Sequence, residues 1–303
     1  MILIKITRIK KVFRQFIVYF IVFFNILIAR ISKRKKLVKQ KEIMDIGVSI
    51  LGSGSNGNSI LLHSGKDAVM IDAGFSRAEI LRRIMILKMD LSMIKGLVLS
   101  HEHTDHCKGA RVFADNLGIP VYATKSTFYH LERKSNLPKN CIIFEAGAEF
   151  SIADFSIRTF SVPHDAEETV GFIVSRGGIK IAIATDLGYL TALCEQRMKG
   201  ANAIILESNH DVEMQLKSNR KPMLIRRVLG RNGHLSNDSA AEAFPKIITE
   251  ETKHVFLVHL SRECNNYEIV EKTARQKLAD MRREDILLKI ATQEPLSTIY
   301  IEK

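Results

Sequence analysis

SHEHTDHC, residues 100–107, places His101, His103, Asp105 and His106 within six consecutive positions, directly behind the apolar run GLVL at 96–99. Imidazole is neutral near pH 7 and ligates through either ring nitrogen, and carboxylates bind the same hard and borderline cations. In H-x-H-x-D-H the two histidines two apart can meet one cation, while the Asp-His pair turns toward a second. A solvated polar turn would account for one histidine. Four ligand-type side chains behind a buried strand indicate a metal site. It is not the helical HExxH signature, because position 105 holds Asp where a second His would stand.

Outward from this loop, short apolar runs alternate with helical patterns. Strands are expected at Ile46–Leu51, Ser59–His63, Ala68–Ile71, Gly96–Leu99, Ile119–Tyr122, Phe155–Val162, Val170–Val174, Ile179–Ala184, Ala203–Leu206, Val255–Leu260 and Thr298–Ile301. Helices are expected at Ser76–Met89, Cys107–Leu117, Ser126–Lys134, Leu187–Lys199, Asp238–Thr249 and Asn266–Met281. No linker, repeat or low-complexity block interrupts residues 44–303, so they read as one α/β domain with two sheets covered by helices. Polar residues punctuate the strand ends: Asp72 after VMI, His101 after LVLS, His164 after FSVP and Asp186 after IAIAT, with His259 in the last apolar strand, VFLVHLS. Strand ends gathered at one edge converge on a common cleft, where rigid elements hold ligands in place.

The 303 residues carry 45 Lys/Arg against 33 Asp/Glu, a net charge of +12 that is unevenly spread. Residues 1–43 hold twelve basic residues and only Glu42 as an acid, a net of +11, which leaves +1 for the other 260. The apolar stretch FIVYFIVFFNILIA (16–29) is flanked by basic runs including KRKK (33–36). It falls short of the ~17–25 residues that span a bilayer. Three readings stand: an upstream extension from a misplaced start, a cytoplasm-facing membrane anchor, or a surface-lying helix, in that order. The four cysteines form no CxxC pair, which speaks against a disulfide framework and for a reducing, cytoplasmic setting, membrane-associated if the extension is real.

The ordered set HEHTDH (101–106), His164, ATD (184–186) and His259 resembles the metallo-β-lactamase fold superfamily over roughly residues 45–303. That resemblance implies a four-layer αββα sandwich with the metal site at one edge of the two sheets. It implies one metal on His101, His103 and His164, a second on Asp105, His106 and His259, and Asp186 bridging. Asp72 in MIDAG matches the loop-bracing, structural aspartate. Within the superfamily, LGSGSNGNS (51–59), SVPHDAEETVGF (161–172), GHLSN (233–237) and VHLSRECN (258–265) resemble the WalJ/YycJ exonuclease branch. The branch implies a metal-dependent phosphodiesterase acting 5′ to 3′ on DNA, with DNA favoured over RNA.

Seven protein ligands shared by two divalent ions leave open positions for a bridging hydroxide and a substrate oxygen, whereas a structural zinc is closed by four. Two metals roughly 3.5–4 Å apart suit in-line displacement at phosphorus. His/Asp ligands admit Zn, Mn or Fe. Asp105 is expected to act in catalysis as well as ligation. The pairing of Glu207 with His234 resembles that of phosphodiesterase relatives, and His234 could donate to a phosphate oxygen or protonate the leaving alkoxide. Ser236 and Asn237 are candidate substrate contacts or helix caps. KSNRKPMLIRRVLGR (217–231) has six Lys/Arg and no acid, so Arg226 and Arg227 are expected on the phosphate backbone. Two rivals stand beside the nuclease: a lactonase or thioesterase on the same metal loop, and a non-catalytic membrane-tethered binding protein.

Overall fold

Most of the apolar runs become strands buried on both faces, which is why they read as nearly continuous hydrophobic stretches. The computed structural model describes residues 45–295 and 297–302, so the extension at 1–43 lies outside the described residues. The first sheet runs in chain order through β1 (Ile46–Gly52), β2 (Ser59–His63), β3 (Ala68–Ile71), β4 (Ile94–Val98), β5 (Val121–Ala123) and β6 (Cys141–Ile143). The second sheet holds β7 (Glu149–Ile152), β8 (Phe155–Ser161), β9 (Val170–Arg176), β10 (Ile179–Ala184), β11 (Ala203–Glu207), β12 (His254–Val258) and β13 (Leu287–Ile290). β14 (Ile299–Ile301) returns to the first sheet and pairs antiparallel with β1, Ile46 opposite Ile301.

In each sheet an antiparallel portion changes to parallel pairing, from β3 onward in the first and from β10 onward in the second. Parallel neighbours need crossovers, and helices supply them. On the first sheet these are α1 (Arg77–Ile86), the one-turn α2 (Thr104–Cys107), α3 (Ala110–Leu117) and α4 (Lys125–Arg133). On the second they are α5 (Ala192–Met198), α6 (Val212–Lys217), α7 (Pro222–Leu229), α8 (Asn237–Ile247) and α9 (Tyr267–Asp280). Side-chain alternation divides the core. Ile181 and Ile183 face the other sheet with Ile50, Val98 and Phe172, while Ala182 and Ala184 face Leu206 and Phe244 of the helical side. A third cluster joins Leu97 and Val121 to Ile80, Phe113 and Leu131 of α1, α3 and α4. The layers are therefore helix, sheet, sheet, helix, as expected.

The differences have local causes. The helix expected from Leu187 starts at Ala192, because Thr191 in extended backbone accepts from Cys194 N and caps it. β6 is exposed at all three residues, and β7 alternates polar and apolar over only four residues, Phe150 and Ile152 turning toward the core, so both are too short to announce themselves as strands. The basic strip runs from Lys217, the last residue of α6, through a short connection into α7, which Pro222 starts in its first turn. His259 stands just past β12 rather than within the strand. Among the described residues no helix is long and apolar enough to cross a membrane.

Candidate metal centre

Asp72, Asp186 and His259 follow β3, β10 and β12, and all three adopt left-handed backbone, with φ of 60°, 56° and 60°. Non-glycine residues rarely do so, and such strain concentrates where a side chain must be turned to a task. The three side chains leave their strands toward the loop 100–107. Gly74 lets that loop approach: a Cβ there would lie 1.7 Å from Asp105 O. Asn58 N donates to Asp105 O at 2.8 Å and Ala73 N to His106 O at 2.7 Å, fixing the loop's backbone.

Four buried histidines are held from behind. Ser100 Oγ donates its one hydrogen to Asp72 Oδ2 (2.9 Å), so it accepts from His101 Nδ1 at 2.9 Å. His106 Nδ1 donates to Asp72 Oδ2 at 2.8 Å, His164 Nδ1 to Gly233 O at 3.1 Å and His259 Nδ1 to Glu207 Oε1 at 2.7 Å. Each imidazole is thereby set as the Nδ1–H tautomer, and its Nε2 lone pair turns inward. His103 completes the group, its Nδ1 3.3 Å from His164 Nε2. Asp186 sits between the two halves, Oδ2 at 3.1 Å from His106 Nε2 and Oδ1 at 3.7 Å from His164 Nε2. Asp105 Oδ2 is 3.6 Å from His106 Nε2 and 3.5 Å from His259 Nε2.

Whether these donors suit divalent cations is decided by what they lack. His101 Nε2 and His259 Nε2 are buried and have no hydrogen-bond partner, a costly arrangement unless something binds them. Donor atoms of His101, His103 and His164 lie within 4.8 Å of one another, and the same holds for Asp105, His106 and His259 and for His101, His106 and Asp186. The electrostatics agree. Against burial, the neighbouring imidazoles of His259 and His106 hold the Asp186 carboxyl well below the usual range. Against burial too, Asp186, Asp72 and Asp105 raise His106, and Asp186, Asp105 and Glu207 push His259 up to about 10. His101 moves the other way, lowered by burial. Ionised carboxylates packed this tightly demand positive charge, and divalent cations fit the site.

Beside the ligands, Glu207 ends β11 fully buried and accepts four hydrogen bonds. His234 Nδ1 (2.8 Å) and His259 Nδ1 (2.7 Å) reach Oε1, while Leu187 N and Leu235 N (3.0 Å each) reach Oε2. Despite burial, the two imidazoles draw its carboxyl down to about 2. With Nδ1 bound, His234 presents its other ring nitrogen to a cleft of about 370 Å³. The cleft is also lined by His103, Asp105, Asp186, His259, Arg220 and Arg227.

A family model described as the β-lactamase superfamily domain matches residues 68–260. The chain is 36% identical over 240 residues to an exodeoxyribonuclease YycJ of Bacillus anthracis, covering 78% of this chain and 90% of the relative. The chain belongs to the metallo-β-lactamase superfamily. An exodeoxyribonuclease WalJ of Streptococcus pneumoniae is 32% identical over 235 residues, 76% of this chain and 87% of the relative. The crystal structure of the metallo-β-lactamase fold protein YhfI from Bacillus subtilis has a TM-score of 0.64 at 16% identity, over 84% of this chain and 99% of that one. The superfamily's sandwich is thus present here, and the chain is a metal-dependent hydrolase of its YycJ/WalJ branch.

All seven sequence-derived ligand candidates come together, with Asp72 bracing them and Glu207 beside His234. The substrate candidates divide. Arg227 lines the cleft and pairs with Asp165. Arg226 is exposed but does not line it. Ser236 and Asn237 are buried: Ser236 caps α8, and Asn237 joins Ser208 and Asn265 in a hydrogen-bonded network. They shape the GHLSN turn from inside rather than facing the cleft. Sequence reasoning did not assign Asn58, whose Nδ2 lies 3.1 Å from His106 Nε2 and 3.3 Å from Asp105 Oδ2. It also missed Ser53, which accepts from His259 N at 2.7 Å. Both belong to LGSGSNGNS, whose turn residues mark a tight hairpin without saying what it grips. Arg220, paired with Glu263 at 2.8 Å, was visible only as one charge in the basic strip.

Proposed function

We propose that this chain is a two-metal exonuclease that degrades DNA from an end, with a 5′ preference. The observation that carries this reading is the Glu207–His234 pair, placed beside the ligand cluster and opening into a cleft with two arginines. Guanidinium groups at the mouth of the site favour a phosphodiester over an uncharged ester or lactone, because guanidinium matches phosphate oxygens bidentately. DNA as substrate and attack from an end are supported by the exodeoxyribonuclease relatives, while the 5′ preference rests on the resemblance of the sequence motifs to the WalJ/YycJ branch.

His101, His103 and His164 would hold one ion, Asp105, His106 and His259 the other, with Asp186 between them. When bound, two divalent ions supply Lewis acidity at the phosphoryl oxygens and an activated water. The remaining work belongs to the chain. Arg220 and Arg227 are tethered by Glu263 and Asp165, and an incoming phosphate takes over those guanidinium groups, drawing the backbone into register. His234 faces the scissile bond with a proton to give from its unbound ring nitrogen to the departing alkoxide. Glu207 behind it fixes the tautomer and stabilises the imidazolium.

End-labelled single- and double-stranded DNA and RNA, incubated with Zn, Mn or Fe, test this directly. Progressive release of nucleotides from a DNA end is expected. If nucleic acid stays intact while a lactone or thioester is hydrolysed efficiently, the acyl-hydrolase alternative replaces it.

A further inference from the structure

Away from the metal centre, a second groove of about 370 Å³ opens on the helix-side face of the second sheet. Its floor is a cross-strand row: Ser156 on β8 faces Ser175 on β9, which faces Lys180 on β10. One step along, Arg158 on β8 faces Glu149 on β7 and Ile173 on β9. Arg197, in the last turn of α5, and Gln196 form the wall. Lys180 stands six residues before Asp186, so at ~3.3 Å per residue the groove lies roughly 20 Å from the metal ligands.

Three cations and one carboxylate line this groove, a net of +2. The carboxylate is already committed: Glu149 Oε1 accepts from Ser156 Oγ at 3.0 Å, and Oε2 pairs with Arg158. Lys180 Nζ has only a neutral acceptor, Lys199 O at 2.6 Å. Arg197 Nε is buried with no partner, and among the described residues no carboxylate pairs with Arg197 or Lys180. Burial first, and then the nearby Arg158 and Arg197, lower the Lys180 ammonium from its ordinary value. Two cations without a carboxylate partner, one of them with an unmet buried Nε–H, and the Ser175 hydroxyl in a ligand-sized groove are the recognition chemistry of a compact oxyanion.

We propose that the groove bounded by Arg158, Lys180, Arg197, Ser156 and Ser175 binds a phosphate group, as a site separate from the metal centre. The phosphate has two sources, a free phosphate or mononucleotide, or the backbone of a nucleic-acid strand lying along the sheet. Its recognition needs no metal, so the site stands even if the nuclease reading fails.

The test is hydrogen–deuterium exchange on the full-length chain with inorganic phosphate, with dAMP, and with a phosphorothioate single strand of about twelve nucleotides. Phosphate or dAMP should slow exchange at residues 175–181 and 193–199, with half-saturation shifted roughly tenfold or more by Arg197→Gln, as for loss of one charge-assisted hydrogen bond. Arg197→Lys should recover part of the protection. Lys180→Gln gives the same reading if Arg197→Gln does not fold. Protection by the strand alone, sensitive to the same variants, assigns the site to a nucleic-acid backbone; protection by the small anions assigns it to free phosphate. Unchanged exchange in both segments with all three probes, or protection undiminished in both variants, would overturn the proposal.

Discussion

Replacing Glu207 by Gln tests the feature on which the proposed chemistry turns, because one buried carboxylate serves a metal-ligand candidate and the proposed acid together. Its four acceptor bonds come in two pairs, imidazole N–H groups on Oε1 and backbone N–H groups on Oε2. A glutamine has one acceptor oxygen, so whichever way it turns, its amide N–H₂ meets one pair donor to donor. The charge opposing two imidazoles also disappears. Breaking a buried charge pair costs about 3–5 kcal/mol. At ~2–4 °C per kcal/mol for a domain of this size, the metal-free protein should melt roughly 10 °C lower. With His259 no longer oriented, metal affinity should fall ~10–100-fold, as for other lost outer-shell partners. Turnover at saturating metal should fall further, toward the ~10²–10⁴-fold of a missing general acid. His234→Ala separates the two roles, since it should cost the turnover and leave metal content intact. Melting curves, elemental analysis and single-turnover cleavage of both variants decide the matter. A Glu207→Gln protein that keeps wild-type metal affinity and loses only turnover would refute the shared role.

Other expectations are more direct. Asp186→Ala should remove most of both metals, and unchanged metal content by elemental analysis would contradict its central position. Gly74→Ala should empty the site without replacing any candidate ligand, because its Cβ meets the backbone oxygen of Asp105 at 1.7 Å and must displace the loop; full metal occupancy in that variant would show that the loop yields cheaply. Charge reversal at Arg220 or Arg227 should weaken DNA binding and reduce the salt slope by about one unit each, measured by anisotropy, whereas reversal at Arg226, outside the cleft, should change little. Deleting residues 1–43 should leave metal content and turnover unchanged, since both sheets are built from residues beyond Asp45; a truncated chain that cannot fold would reverse that.

The sandwich and the clustering of the candidate ligands were legible because both are written in side chains. Long strands such as β1, β8 and β10 carry their own apolar signal, and the ligand candidates are of metal-binding type at strand ends. What stayed hidden was written in the backbone or in position. β6 and β7 are three and four residues long, too short to carry a periodic signal of their own. The basic strip gave charge without direction: α7 turns Arg227 toward the cleft while Arg226, its immediate neighbour, does not line it. Ser236 and Asn237 carry the right chemistry for substrate contact, yet burial turns them to capping and packing.

The same distinction explains how GHLSN is tied into the site. Gly233 contributes a carbonyl that fixes the tautomer of His164, and the next residue, His234, faces the cleft. A Cβ at Gly233 would lie 2.2 Å from Val228 O, so the close approach of this turn to the end of α7 depends on glycine. The turn thus links three things the sequence presents separately: a candidate ligand histidine, the proposed acid and the helix that bears Arg227. On the proposed roles, displacing it should disturb metal binding, proton transfer and substrate register at once. That coupling is a reason for the motif to be contiguous, although the residues it serves are distant in the chain.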